Sequence, residues 1–357
     1  MRINGKKWLS TALVLASVLL VVWIAFGSND LGKTWQALKS LDPLWTAGIF
    51  CCWFFYMFFD AFGYWIYFRS EGFPIRLGRC ITSSLICFYY SNITPTSAGG
   101  QPMLINSLRK AGIPVGYGTM ASTIRFICNQ FVVAAGSLFF WLLNREFVAQ
   151  QLGSVIWIIR LGWIINFAGI PLVLMAAFRR SLIQRICSGI ISLCVRMKLI
   201  RNRDVAMSSV TNVLDTYHTA LRELLHRPGR ILAQMFCAAA GIMSLIGSIY
   251  FVYHAFGLNG TRWDQLITVS FLLYVSACYT PLPGASGAQE GGFLLFFSRI
   301  IPDELLGLAL LVWRFFTYYL FLIVGVAIVI LERWIISRER KKDNSQRSSG
   351  DARGTDS

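Results

Sequence analysis

Charged side chains are scarce in this chain: Asp, Glu, Lys and Arg make up 14% of it, against 55% apolar residues. Soluble domains carry about 25% charged residues, so a water-facing globule is excluded and a polytopic membrane protein is expected. Histidine is rarer still. His218, His226 and His254 stand at no metal-ligand spacing. The nine cysteines show no paired spacing beyond Cys51-Cys52 and lie mostly within apolar runs. They read as small buried apolar side chains, not as a disulfide or zinc framework. The chain also lacks a P-loop, a nucleophile-elbow serine and an H-E-x-x-H pair. No catalytic residue, metal or cofactor is assigned.

Acidic residues are few as well, 17 against 33 Lys and Arg, which leaves a net charge of +16. The excess is not spread as nucleic-acid binding would need. Ten Lys/Arg against three Asp/Glu fall between Phe178 and Arg230, and Arg333, Arg338, Arg340, Lys341 and Lys342 follow the last apolar run. Basic loops beside apolar spans mark the cytoplasmic side and favour anionic lipid surfaces.

What is abundant is long apolar sequence. Six segments, 8–26, 44–68, 117–143, 155–177, 231–256 and 305–331, are nearly uncharged and meet the roughly 20 residues a crossing helix needs. Residues 8–26 follow Arg2, Lys6 and Lys7 and are read as an uncleaved first span, because the run is long for a signal peptide. Loop charges place both termini inside and loop 27–43 outside. The transmembrane domain is expected over 1–337, with 178–230 as a basic cytoplasmic segment. Its stretch "VLDTYHTALRELLHRPG" is patterned as a surface helix ended by Pro228-Gly229. Residues 338–357, polar and Gly/Ser-rich, are expected to be a disordered cytoplasmic tail.

Two apolar runs are too short to cross. The run 80–93 meets "SNITPTSAGGQPM" and then "LINSLRKAGIP", with basic flanks on both sides. The run 265–280 meets "PLPGASGAQEGG" and then 293–301, with flanks not enriched in Lys or Arg. Each describes a re-entrant helical hairpin, the first entered from the cytoplasm and the second from outside.

The two breaks resemble each other. Thr94-Pro95 opens one and Thr280-Pro281 the other; Gln101 and Glu290 close them, each followed 24 residues later by an arginine, Arg125 or Arg314. The expected fold is therefore all-α: about six full spans plus two oppositely oriented re-entrant hairpins forming an inverted repeat. Broken helices at matching positions of two halves point to a transporter site, since non-helical backbone at depth must be buried in protein or line a wet cavity.

The candidate substrate-binding residues are Thr94, Pro95, Ser97, Gly99, Gly100 and Gln101, with Thr280, Pro283, Gly284, Ser286, Gly287 and Glu290 in the other half. Helix N-termini beyond the breaks favour anions. Arg125 and Arg314 are each the only Asp/Glu/Lys/Arg of their span. An intramembrane arginine is by default a functional candidate, and its guanidinium forks phosphate. The other reading is an internal salt bridge, with Asp60 and Glu290 as available carboxylates or proton carriers. Asn129 and Tyr318, each four residues after its arginine, can orient it from the same helix face.

With "TPTSAGGQPMLINSLRKAGIP" and "PLPGASGAQEGG", each followed by an Arg-bearing helix, residues 8–335 resemble the transmembrane region of lysylphosphatidylglycerol synthases. That resemblance implies a flippase-like unit, a region thought to move aminoacylated phosphatidylglycerol between leaflets. Only 26 residues follow Leu331, so a stand-alone form without the synthase domain is expected. The reading is a transbilayer transporter, not an enzyme, in the bacterial inner membrane, acting on an anionic or phosphate-bearing lipid. Its partners would be membrane lipids, with a homo-oligomer or a lipid-synthesising enzyme beside it, and no nucleic acid. The alternatives are a membrane-embedded lipid-phosphate transferase using Glu290 or Asp60 as base, and an accessory subunit of a lipid-modifying enzyme.

Overall fold

The computed structural model describes residues 38–178, 228–277, Thr280 and 282–332, with Gln36 and scattered single positions between 185 and 222. The expected span 8–26, most of the segment 178–230 and the tail 338–357 lie outside the described residues. The described residues form helices joined by short turns, and no strand occurs among them.

Helix α1 spans Pro43–Ser70, capped by the Asp42 carboxylate, which accepts from Leu44 N at 2.8 Å. It ends at Gly72, whose φ of 86° continues no helix. Then come α2 (Leu77–Ile93), a 3-10 turn (Pro95–Ser97), α3 (Gly100–Lys110), α4 (Val115–Leu143), α5 (Arg145–Leu152) and α6 (Ile156–Phe178). Beyond 178–227 lie α7 (Pro228–Ala255), α8 (Trp263–Ala277), a second 3-10 turn (Pro283–Ala285), α9 (Ala288–Phe297) and α10 (Asp303–Arg314). A π turn, Phe315–Tyr319, continues α10 towards Glu332. Pro228 is the first described residue of α7. The stretch that was expected to end there lies outside the described residues.

Four helices are long and apolar enough to cross a bilayer: Pro43–Ser70, Val115–Leu143, Pro228–Ala255 and Asp303–Glu332. They match four of the six apolar segments. Helix α6 carries a shorter apolar stretch, Ile156–Ala168. Large apolar side chains such as Phe131, Phe139, Trp157, Ile164, Phe236 and Ile323 face outward. Such a surface suits lipid, not water, and the chain is an integral membrane protein.

Helix α1 lies along α7. Gly48 stands where the Phe251 ring packs, and Gly63 where Gln234 donates to the Gly63 carbonyl at 2.8 Å. Around this pair sit two helix–turn–helix hairpins rooted at opposite ends. The α2/α3 hairpin opens at the end where Arg79 and Lys110 both reach Glu332, at 3.2 and 3.7 Å. The α8/α9 hairpin opens at the other end, where Asn144 after α4 donates to Thr268 Oγ1 at 2.9 Å. The two turns pack against each other, with Pro95, Thr96, Ser97 and Ala98 of the first exposed.

The second hairpin departs from its expected boundaries. Its return helix was expected at 293–301, after a glycine-rich loop. It runs instead from Ala288 to Phe297. Glu290 Oε2 accepts from Gly287 N at 2.6 Å, so a capping carboxylate starts the helix despite Gly291 and Gly292.

Candidate functional site

The site begins with backbone strain. Among the described residues, the non-glycine positions at positive φ are Thr96 (54°), Ser97 (56°) and Ala285 (52°), all in the two turns. A β-branched residue there is a genuine outlier, held only when its surroundings fix it. The turns also match each other. Pro95-Thr96-Ser97 corresponds to Pro283-Gly284-Ala285, with φ of 54° at Thr96 and 60° at Gly284. The expected match of Thr94-Pro95 with Thr280-Pro281 is therefore displaced: the structural partner of Pro95 is Pro283, because turn geometry and not the Thr-Pro dipeptide sets the register.

Side chains and backbone amides staple each turn. Thr94 Oγ1 donates to the Tyr90 carbonyl at 2.6 Å and accepts from Gly99 N at 2.9 Å. Ser286 Oγ donates to the Pro283 carbonyl at 2.7 Å. Ser97 N, Ala98 N, Ala285 N and Ser286 N all donate within the turns as well. These amides, with Gly99 N and Gly287 N, are spent internally. The amides just named are therefore not open donors, and the first amides of α3 and α9 are not among them.

Gly284 and Gly100 are required by space. A Cβ on Gly284 would fall 2.7 Å from Tyr318 Cδ2 and closer still to Cε2; one on Gly100 would meet Ser91 Oγ and lie 2.8 Å from the Cys87 carbonyl oxygen. Gly99 is crowded by Thr94 Cγ2 at 2.7 Å.

Both arginines are buried, at 3% and 4% exposure, and both are ion-paired. Arg125 Nε donates to Asp60 Oδ1 at 3.1 Å, and its Nη2 reaches the carbonyls of Phe59 and Cys237 at 3.1 and 3.4 Å. Arg314 donates to Glu290 Oε1 from Nε at 2.8 Å, with Nη2 at 2.6 Å from the same oxygen and 3.1 Å from the Gly284 carbonyl. The Tyr318 ring lies 4.9 Å from the Arg314 guanidinium carbon, and its hydroxyl donates to the Asn92 carbonyl at 3.2 Å. Tyr318 thus holds its arginine by a cation–π contact and ties the π turn after α10 to the first hairpin. Asn129 does no such work: its Oδ1 is buried without a hydrogen-bond partner. Gln101, in register with Glu290 by sequence, is exposed, and Asp60 of α1 takes the carboxylate role in the first half.

Two cavities flank the turns. One, of about 310 Å³, takes lining from both halves, including Asn92, Thr280, Gly284, Arg314 and Tyr318. The other, of about 500 Å³, is lined by Asp60, Arg125, Asn129, Gln101 and neighbours. Tyr56, Phe88, Ser91, Thr96 and Ser97 line both and form a shared wall. Sequence reasoning singled out Asp60 but missed Tyr56 and Tyr64, which line the larger cavity beside it. Their signal was present: Tyr56, Asp60 and Tyr64 stand four residues apart, one polar stripe on a helix face otherwise apolar.

An all-helical membrane protein with two opposed broken hairpins and buried arginine–carboxylate pairs defines a class, a polytopic protein with a polar interior. The family model for the lysylphosphatidylglycerol synthase TM region matches residues 8–325, and the chain belongs to that family. It is similar to a UPF0104 membrane protein of Archaeoglobus fulgidus, 21% identical over 313 residues, which cover 86% of this chain and 92% of that protein. Its class is thus a lipid-related membrane protein.

Proposed function

We propose that this protein is a flippase-like transporter that moves a phosphate-bearing lipid between the leaflets of the bacterial inner membrane. The supporting observation is the meeting of two strained turns, from hairpins rooted at opposite ends, between two cavities that each hold a buried arginine. On this reading the hairpins are re-entrant, the halves form an inverted repeat beside about six full spans, and both termini are cytoplasmic. The basic ends of α1, α2, α3 and α7, with Arg69, Arg76, Arg109 and Arg230, agree with that orientation.

The headgroup enters one cavity, its phosphate exchanging with a carboxylate on the arginine there, while the acyl chains stay in lipid. Rearrangement of the shared wall passes it to the other arginine. No covalent bond is made or broken, so purified protein incubated with candidate lipids and donors yields no new product by mass spectrometry. In proteoliposomes carrying an acyl-chain-labelled phospholipid, the double variant Arg125→Ala/Arg314→Ala abolishes movement. Undiminished transport by the folded double variant overturns the mechanism.

A further inference from the structure

Each arginine brings its own negative charge, so neither cavity is a cationic site. Glu290 is 1% exposed and fully engaged, one oxygen on Arg314 and the other on Gly287 N. In the larger cavity Asp60 and Arg125 line the space together, and among the described residues they are its only Asp, Glu, Lys or Arg lining residues. A phosphate that displaces Asp60 from Arg125 leaves a carboxylate without a cation in a site already taken from water. A purely anionic headgroup therefore exchanges one buried pair for one buried unpaired charge, an unfavourable trade. A headgroup that carries its own cation beside the phosphate restores both pairs at once.

The remaining lining says what kind of cation. Asn129 Oδ1 is a buried acceptor with no donor, on the same wall as Arg125 and one helical turn further along. Tyr56, Tyr64 and Ser91 also line the space, and hydroxyl oxygens accept as well as donate. A primary ammonium offers three N–H donors to such acceptors, whereas a quaternary ammonium offers none. Tyrosine faces attract either cation, so the discrimination rests on the unmet acceptor and on Asp60.

We propose that the Asp60–Arg125 cavity selects a net-neutral phospholipid headgroup with a phosphodiester and a primary ammonium, the chemistry of a phosphoethanolamine. Arg125 takes the phosphate, and Asp60 with Asn129 takes the ammonium. The proposal rests on the transporter reading above and names its substrate class.

The test uses the full chain in phosphatidylcholine vesicles holding a trace of acyl-chain fluorescent phosphatidylethanolamine, phosphatidylcholine or phosphatidylglycerol, with dithionite reading arrival in the outer leaflet. The ethanolamine lipid is expected to move about tenfold faster or more than the other two, as loss of one buried pair demands. In Asp60→Asn the cavity gains a net positive charge, and the preference turns towards phosphatidylglycerol. That ratio is internal to each preparation, so a smaller folded fraction does not imitate it. Phosphatidylglycerol or phosphatidylcholine moving as fast as the ethanolamine lipid in the unmodified protein overturns the selection and leaves lipid transport standing. No movement of any of the three overturns transport itself.

Discussion

Replacing Gly284 with alanine probes the meeting of the turns at a single atom. Two costs add. The residue sits at φ 60°, where an L side chain is disfavoured by roughly 1–2 kcal/mol. The new Cβ would also fall 2.7 Å from Tyr318 Cδ2, with Cε2 nearer, and a forced shift of a packed ring costs about 1–3 kcal/mol. Tyr318 is 1% exposed and fixed at both Arg314 and Asn92, so it has nowhere to retreat. The expected loss is about 2–5 kcal/mol, read by SDS titration in mixed micelles. The decisive measurement repeats Gly284→Ala in a Tyr318→Ala background. There only the backbone cost remains, so the cycle yields a coupling of about 1–3 kcal/mol. A coupling below about 0.5 kcal/mol refutes the packing argument, since that is the scatter of independent sites. Ala285→Gly is the control: relief at φ 52° offsets added chain entropy, and stability stays within about 1 kcal/mol.

Arg125→Leu alone strands Asp60 in the interior and should cost about 3–5 kcal/mol, while Arg125→Leu with Asp60→Leu recovers most of the loss in the same titration. Gly100→Ala should cost about 1–3 kcal/mol; Ser91→Ala relieves it only in part, because the Cys87 carbonyl at 2.8 Å is backbone and stays. Glu332→Gln breaks contacts to Arg79 and Lys110 that are partly exposed, so it should cost about 0–1 kcal/mol and less as salt is added.

The long apolar helices were legible because length and lack of charge are one-dimensional properties. The two helix–turn–helix breaks were legible too, from Pro and Gly clusters between short apolar runs. Helix α9 was misjudged at its start because glycine content reads as loop, while the capping carboxylate of Glu290 acts only once Gly287 is in place. The carboxylates Asp60 and Glu290 were recognisable as partners, but only contact across α1 and α4 assigns Asp60 to Arg125. Asn129 was expected to brace Arg125 by its spacing of four; the burial of its Oδ1 without a donor is a property of packing, and no spacing reveals it.

The halves are alike in their turns and unlike in how their arginines are held. Pro95 and Pro283, and the starts of α4 and α10 at Val115 and Asp303, share one register. Arg314 stands one residue beyond the position that corresponds to Arg125, and a π turn follows it directly. Such turns are frequent at functional sites. Arg314 binds Glu290 and the Gly284 carbonyl, both within its own hairpin and turn. Arg125 instead binds Asp60 and Phe59 on α1 and Cys237 on α7. The second hairpin and α10 are thereby joined through their arginine, whereas the Arg125 bonds of α4 go to the α1/α7 pair and not to the first hairpin. A motion that separates the two turns while keeping these bonds carries the second hairpin with Arg314 and leaves Arg125 on α1. The asymmetry predicts that a flexible thiol cross-link between α9 and α10, at Phe293→Cys and Trp313→Cys where the rings pack at 5.2 Å, leaves labelled-lipid movement in proteoliposomes intact, while a cross-link between the two turns stops it.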